Sequence, residues 1–393
     1  MRLRAVTIYV LLFTCEVAWL AMIPLAPRFA EEFDLTSVQT GALLAAAGLA
    51  TVAVSLPVGL LADRFGPLRL TVATGVMLSL TCVAQGVAPD YLSLLAARIA
   101  FGVSLGGLWT AGLALLSRSL SGRRRTTALG GTITIAAAAN IFGPALAGVI
   151  GDAFTLGTPF LLLSGVAAVA TASLALGRHE TPWVQERRSP RATVSAGRRE
   201  GYVLAAVMLM ALLGMVNGSI NLLVPLELRG AGLSAGEIGV WFSISSVIFL
   251  AGTLVVTRLA GRGAGLRLAG AAALCYALLF LFPVATGTTA VLLAFLLLRA
   301  PFWSALSTLP FPFGAIGAER AVIGQGAVVG ALNLTWGASN TIGPLTAGAV
   351  ADAVGVRAAY LPALASCVLV GGSILVLAAR SRDPRVEPVA DLV

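Results

Sequence analysis

The chain has 393 residues, of which 58 % are hydrophobic and only 11 % charged, with a net charge of +9 and a mean hydropathy of +0.94. Soluble domains carry roughly 25 % charged residues, so charge this sparse excludes a water-soluble globule of this length. The positive balance would suit nucleic acid in a soluble protein, but here membrane topology accounts for it and no nucleic-acid partner is expected.

Apolar runs long enough to cross a hydrocarbon core of about 30 Å recur at 5–29, 38–61, 70–88, 91–116, 127–151, 158–177, 202–226, 236–259, 267–286, 289–312, 321–351 and 357–379. They predict an all-α integral membrane protein with twelve transmembrane helices. Strand alternation is absent, which argues against an outer-membrane barrel. The first run is too long for a signal peptide and is interrupted by Glu16, so it counts as the first span. The chain contains no lysine, and all 26 basic residues are arginine. With a cytoplasmic N-terminus, 21 of them fall on the inner side. Arg28, Arg229 and Arg357 fall outside, and Arg98 and Arg299 lie within spans. This bias predicts that both termini are cytoplasmic, with the basic loops free to meet anionic lipid head groups. The Ala, Gly and Arg content points to a GC-rich bacterial genome, and hence to a bacterial inner (cell) membrane. Cys15, Cys82, Cys275 and Cys367 all lie in predicted spans, so no disulfide framework is expected. The single histidine, His179, has no Cys/His pattern around it, so no metal site or cofactor is expected.

In chain order, the first span ends in Pro24-Leu25-Ala26-Pro27 with Arg28 beyond. Thr36 and Gln39 then have capping-box spacing, which starts the second span by satisfying its first backbone donors. Residues 178–200 form the one long polar interruption. They read as a cytoplasmic linker between an N-terminal bundle (1–177) and a C-terminal bundle with a short tail (201–393). The second bundle repeats the first. Asn140-Ile-Phe-Gly143-Pro144-Ala-Leu-Ala147-Gly148 recurs as Asn340-Thr-Ile-Gly343-Pro344-Leu-Thr-Ala347-Gly348. Pro24-Leu25 with Arg28 matches Pro225-Leu226 with Arg229. Thr36/Gln39 matches Ser234/Glu237, and Arg98 matches Arg299. Six spans separate the copies, so the halves share one orientation, related by an axis along the membrane normal. Duplicated halves with Gly-Pro breaks in corresponding helices are a transporter signature.

Four motifs carry a resemblance. Gly59-Leu-Leu-Ala-Asp63-Arg64-Phe-Gly66-Pro-Leu-Arg69, after the second span, resembles the loop signature of the major facilitator superfamily, with Leu68 in place of one basic residue. In that family the turn helps latch the two halves on the cytoplasmic side, which would assign Gly59, Asp63, Arg64, Gly66 and Arg69 to a conformational latch. Leu95-Ala-Ala-Arg98-Ile-Ala-Phe101-Gly102 resembles the family's second motif, with Phe101 where glutamine is usual. Ala139-Asn140-Ile-Phe-Gly143-Pro144-Ala-Leu-Ala147-Gly148 resembles its antiporter motif, associated with proton-linked drug exporters. Its repeat in the eleventh span weakens that link. Small-residue packing and a proline hinge also account for Gly143, Pro144, Gly148, Gly343, Pro344 and Gly348. Pro24-x-x-Pro27 resembles an element common in twelve-helix drug exporters. The resemblance implies two pseudo-symmetric six-helix bundles and a transporter working by alternating access.

Charges at membrane depth are functional candidates, because an arginine there costs about 2.5–3.5 kcal/mol to insert. Glu16 is the deeply placed acid of the spans. Burial favours a neutral acid over its ion, the property a proton carrier needs. The expectation is that Glu16 couples protons, with Arg98 as partner. Alternatives are a fixed Glu16–Arg98 pair, or an Arg98 snorkelling to the outer interface. Asn217 stands at Glu16's repeat position. With Trp19, Trp109, Asn140, Asn221, Arg299, Trp303, Asn333, Trp336 and Asn340 it completes the expected cavity lining, apolar and aromatic with sparse polar anchors, suited to an amphiphilic small molecule. The favoured function is proton-coupled export of small organic, drug-like compounds by a monomer. The alternative is import or exchange of an anionic metabolite through Arg98 and Arg299. No P-loop, HExxH or Ser/His/Asp arrangement points to an enzyme.

Overall fold

A computed structural model describes residues 2–118, 122–177, 200–260, 265–321 and 325–380. Nearly all of the linker expected at 178–200, and the tail beyond residue 380, lie outside the described residues. The helices run in the predicted order: α1 Arg2–Glu32, α2 Ser37–Phe65, α3 Pro67–Gly86, α4 Tyr91–Arg118, α5 Gly122–Ala153 and α6 Thr158–Leu176, then α7 Gly201–Gly230 and α8 Ala235–Ala260. The ninth span is split into α9 Leu266–Leu279 and α10 Leu281–Ala285, and the tenth into α11 Thr289–Ser307 and α12 Pro310–Arg320. The chain closes with α13 Gln325–Val354, a 3-10 turn Ala358–Tyr360, and α14 Leu361–Arg380. No strand occurs among the described residues.

Eleven helical stretches of the described residues are long and apolar enough to cross a membrane. The twelfth predicted span, α13, is 30 residues long but falls short in apolarity. It carries Asn333, Thr335, Ser339, Asn340 and Thr341, which mark a helix meant for polar neighbours. Large apolar side chains such as Leu80, Leu92, Ile133, Val169 and Leu369 are exposed. Such a surface is a liability in water and is natural against lipid.

Local chemistry sets the helix ends. Thr36 and Gln39 form the predicted capping box, each side chain bonding the other's backbone N–H. Ser234 and Glu237 do the same at α8. Gly66 joins α2 to α3 at φ +87° and ψ 143°, a region that costs any other residue its side-chain sterics.

The described residues fall into two compact units. The first holds residues through Gly177 together with Leu228–Ser243, the end of α7 and the start of α8. Its core joins Leu11, Leu12 and Cys15 of α1 to Leu78 and Cys82 of α3, Phe101 and Leu105 of α4, and Ala167 and Leu174 of α6. Glycines let helix backbones touch: a Cβ on Gly102 would collide with the Ala47 carbonyl oxygen, and one on Gly148 with that of Ala235. The segment 228–243 is also held by polar ties. Arg229 makes a two-pronged ion pair with Glu31, at 2.7 and 2.8 Å. Asp152 accepts from the Gly236 N–H at 2.6 Å and from Arg28 at 3.1 Å.

The second unit holds Glu200–Glu227 and Ile244–Arg380. Within it α7 lies against α13, where Gly214, Gly218 and Gly343 leave no room for side chains. α9 packs on α11 and α14. There Tyr276, Phe280, Phe295 and Tyr360 form a run of ring contacts with centroids 5.3–6.2 Å apart.

Candidate functional site

The first unit brings two of the predicted residues together. Phe13, Glu16 and Trp19 recur every third residue on one half-buried stripe of α1, between fully buried neighbours. The carboxylate of Glu16 accepts a hydrogen bond from the indole N–H of Trp109 at 2.7 Å. It has no ion-pair partner among the described residues. Indole is a donor with no charge, so the contact orients the acid without neutralising it.

The expected pairing of Glu16 with Arg98 is not formed. Arg98 is 1 % exposed, so it does not snorkel either. Its Nη1 donates to Gln85 Oε1 and its Nε to the Leu43 carbonyl, both at 3.2 Å. Its guanidinium lies over the Trp19 and Phe101 rings, at 5.8 and 5.2 Å. Neutral acceptors and ring faces satisfy the cation, and α2, α3 and α4 are tied together in the process. Phe101 at the motif's glutamine position stacks on the guanidinium, while Gln85 of α3 supplies the amide. Sequence spacing gave no sign of Gln85, because it comes from another helix.

In the second unit Asn217 Nδ2 donates to Asn340 Oδ1 at 2.9 Å, so these two predicted residues form one polar tie between α7 and α13. Asn140, the counterpart of Asn340, donates instead to the Ala136 carbonyl of its own helix at 2.9 Å. Asn221, Trp303 and Trp336 are half-buried and Asn333 is exposed. Arg299 is 7 % exposed and its Nε has no hydrogen-bond partner among the described residues. It sits inside the second unit beside Tyr276 rather than on a half-exposed face. Glu16 is also not alone as an acid near membrane depth. α7 runs past its predicted end, and Glu227 stands beside Tyr360 and Arg357 with a buried carboxylate oxygen.

The latch residues lie where α2 meets α3. Gly59 and Asp63 fall on α2, but the Asp63 side chain lies outside what the structure describes. Arg64 and Arg69 are exposed, and Arg64 covers the Phe65 ring at 5.3 Å. The glycine–proline breaks are packing points. Gly148 meets the Ala235 carbonyl, Pro144 takes Gly239 against its own carbonyl, Pro344 packs on Gly218, and Gly343 meets the Met215 carbonyl. Gly348 is buried. Among the described residues no cluster of His, Cys, Asp or Glu could hold a metal ion.

Comparison with known proteins agrees with this architecture. The chain is 33 % identical over 106 residues to the "Probable 4-methylmuconolactone transporter" of Cupriavidus pinatubonensis, covering 27 % of this chain and 25 % of that protein. It is 34 % identical over 104 residues to the "3-(3-hydroxy-phenyl)propionate transporter" of Escherichia coli, covering 26 % of each. The matches thus span about a quarter of these curated relatives. Its fold is similar to the crystal structure of a bacterial homolog to the human lysosomal transporter Spinster, in inward-facing and occupied conformation. The TM-score is 0.80 at 12 % identity, covering 95 % of this chain and 96 % of that one. A model of the Major Facilitator Superfamily matches residues 8–324. The chain therefore belongs to the Major Facilitator Superfamily, and its helices are those of a multi-pass membrane protein.

Proposed function

We propose that the protein is a proton-coupled secondary transporter of small aromatic or amphiphilic organic compounds, with Glu16 as the coupling acid. The observation that carries this reading is the unpaired Glu16 carboxylate on a half-buried stripe of α1, oriented by the Trp109 N–H at 2.7 Å. An acid held by a neutral donor can gain and lose a proton without breaking an ion pair. Its aromatic neighbours offer surface to an organic substrate. Asn217 stands at the same place in the second repeat and cannot titrate, so coupling belongs to the first unit and polar substrate contact to the second. Gly59, Asp63, Arg64, Gly66 and Arg69 act as the cytoplasmic latch. The inner membrane of a bacterium, cytoplasmic termini and a monomeric state complete the reading.

Two directions of transport each have their own support. Export follows from the likeness of the Gly143-Pro144 stretch to the antiporter motif, although close helix packing gives that stretch a sufficient purpose. Uptake or exchange of an organic acid is favoured by the two curated relatives, whose names refer to such compounds. In that case Arg98, engaged with Gln85 and Leu43, is not the anion's ligand. The test is growth of an efflux-deficient bacterium expressing the chain, over a panel of antibiotics, dyes and aromatic acids, beside an equally expressed Glu16→Gln variant. Raised tolerance that disappears in the variant supports export through Glu16. Acid-dependent growth or accumulation that disappears in the variant supports uptake. Either phenotype kept in full by the variant removes Glu16 from coupling.

A further inference from the structure

Residues 228–243 are the last stretch of α7 and the first of α8, and they belong to the first unit while the rest of both helices belongs to the second. Two kinds of contact hold this corner. One is a seam with α5. A Cβ on Gly148 would collide with the Ala235 carbonyl, and one on Gly239 with the Pro144 carbonyl. Pro144, Gly148 and Asp152 follow at intervals of four, so they share one face of α5. Backbones that touch through small residues gain dispersion, but no side chains lock them into each other. Something else has to fix the corner on that face.

Two carboxylates supply it. Asp152 ends the seam, and its Oδ2 accepts from the Gly236 N–H at 2.6 Å. That N–H lies in the first turn of α8, where backbone donors lack partners in their own helix and the helix dipole is positive. Ser234 already serves the Glu237 N–H, so α8 starts on one acceptor of its own and one supplied by α5. Arg28 aims that second acceptor: its Nη1 donates to the Gly151 carbonyl at 2.8 Å and to Asp152 Oδ1 at 3.1 Å. Glu31 of α1 takes both prongs of Arg229, at 2.7 and 2.8 Å. Arg28 and Arg229 are counterparts in the repeat, yet Arg28 binds the end of its own half while Arg229 reaches an acid of the other. Both ion pairs are partly exposed. Pairs of that kind are individually weak, which suits a contact that opens and closes again. We propose that Asp152 and Glu31 are the two hooks of a releasable clamp on the α7–α8 corner, with Arg28 as the residue that positions Asp152. Release frees the corner from α1 and α5. The topology proposed above enters only in naming the side of the membrane that the clamp closes, the outer one.

The test is pulsed electron spin resonance on the purified full-length protein in detergent, with spin labels on Phe154→Cys, just past the end of α5, and on Ala231→Cys of the corner. Both positions are exposed, and Cys275→Ser removes the exposed native thiol. With the clamp intact one short distance dominates. Asp152→Ala, which removes the acceptor of the Gly236 N–H, lengthens the distance in the greater part of the population by about 5 Å or more, the size of a one-turn slip. Arg28→Ala does the same to a lesser extent. Arg229→Glu sets two acids face to face and also opens the corner, and adding Glu31→Arg restores the short distance. An unchanged distance in either Asp152→Ala or Arg229→Glu would overturn the proposal. So would a charge exchange that stays as open as Arg229→Glu alone. Should Asp152→Ala fail to fold, the charge exchange decides, since its two positions are partly exposed. These distances depend on neither the coupled ion nor the transported compound, so a failure here leaves the reading of Glu16 untouched, and the reverse holds too.

Discussion

Arg98 and Arg299 hold the same position in the two repeats, yet their surroundings differ. Arg98 is fully engaged, with Gln85 and the Leu43 carbonyl as acceptors and Trp19 and Phe101 as ring partners. Arg299 is as deeply placed but has an orphaned Nε among the described residues. Position 286, where the offset of the repeat would put a counterpart of Gln85, is threonine at the end of a short helix. Duplication preserved the charge and not its partners. The lesson is that one buried arginine has become a tie among three helices while its twin sits beside a tyrosine of its own unit. A similar divergence separates Glu16 from Asn217 and Asn140 from Asn340.

The largest expected effect bears on this contrast directly. Arg98→Ala removes two hydrogen bonds and the packing on two rings, and should cost about 3–5 kcal/mol in thermal unfolding. Arg299→Met should change stability by no more than about 1 kcal/mol, because it removes a buried charge whose Nε has no partner among the described residues. Equal losses at both sites would break the comparison. A smaller effect separates the two glycine–proline stretches. A Cβ on Gly343 would collide with the Met215 carbonyl oxygen, so Gly343→Ala should cost about 1–3 kcal/mol. A Cβ on Gly143 meets nothing closer than 3.4 Å. Gly143→Ala should therefore be neutral, or stabilise by up to about 1 kcal/mol through helix propensity. The smallest effect concerns a feature the repeats share. Thr36→Ala and Ser234→Ala each remove a capping-box acceptor and should each cost about 1 kcal/mol.

Much of the fold was legible in the sequence because lipid imposes a simple rule: backbone groups must be satisfied internally, so apolar runs become helices. The helix starts at Thr36 and Ser234 were legible for an equally local reason, a side chain reaching a donor three residues away. The α13 helix departs from the rule, since it carries several polar residues, of which Asn340 and Ser339 bond Asn217 and the Met210 carbonyl of α7. The partners of Arg98 were not legible. Gln85 lies 13 positions away on another helix, and nothing in the spacing joins them. The surroundings of Arg299 were hidden for the same reason, since Tyr276 comes from another helix and reads locally as an ordinary apolar-span residue. The Glu16–Trp109 contact was half legible. The composition marked both residues, but the pairing of Glu16 with indole rather than guanidinium depends on how α1 rotates against α4.

The most direct test of the account is transport in proteoliposomes driven by an imposed pH gradient, comparing wild-type protein with Glu16→Gln on a compound identified by the growth panel. The amide oxygen of the variant can still accept from Trp109, so the fold is kept while the titratable proton is lost. The account predicts that the variant binds and exchanges the compound down its own gradient but no longer concentrates it in response to pH. A variant that retains full dependence on the pH gradient would contradict the central claim that Glu16 carries the coupled proton.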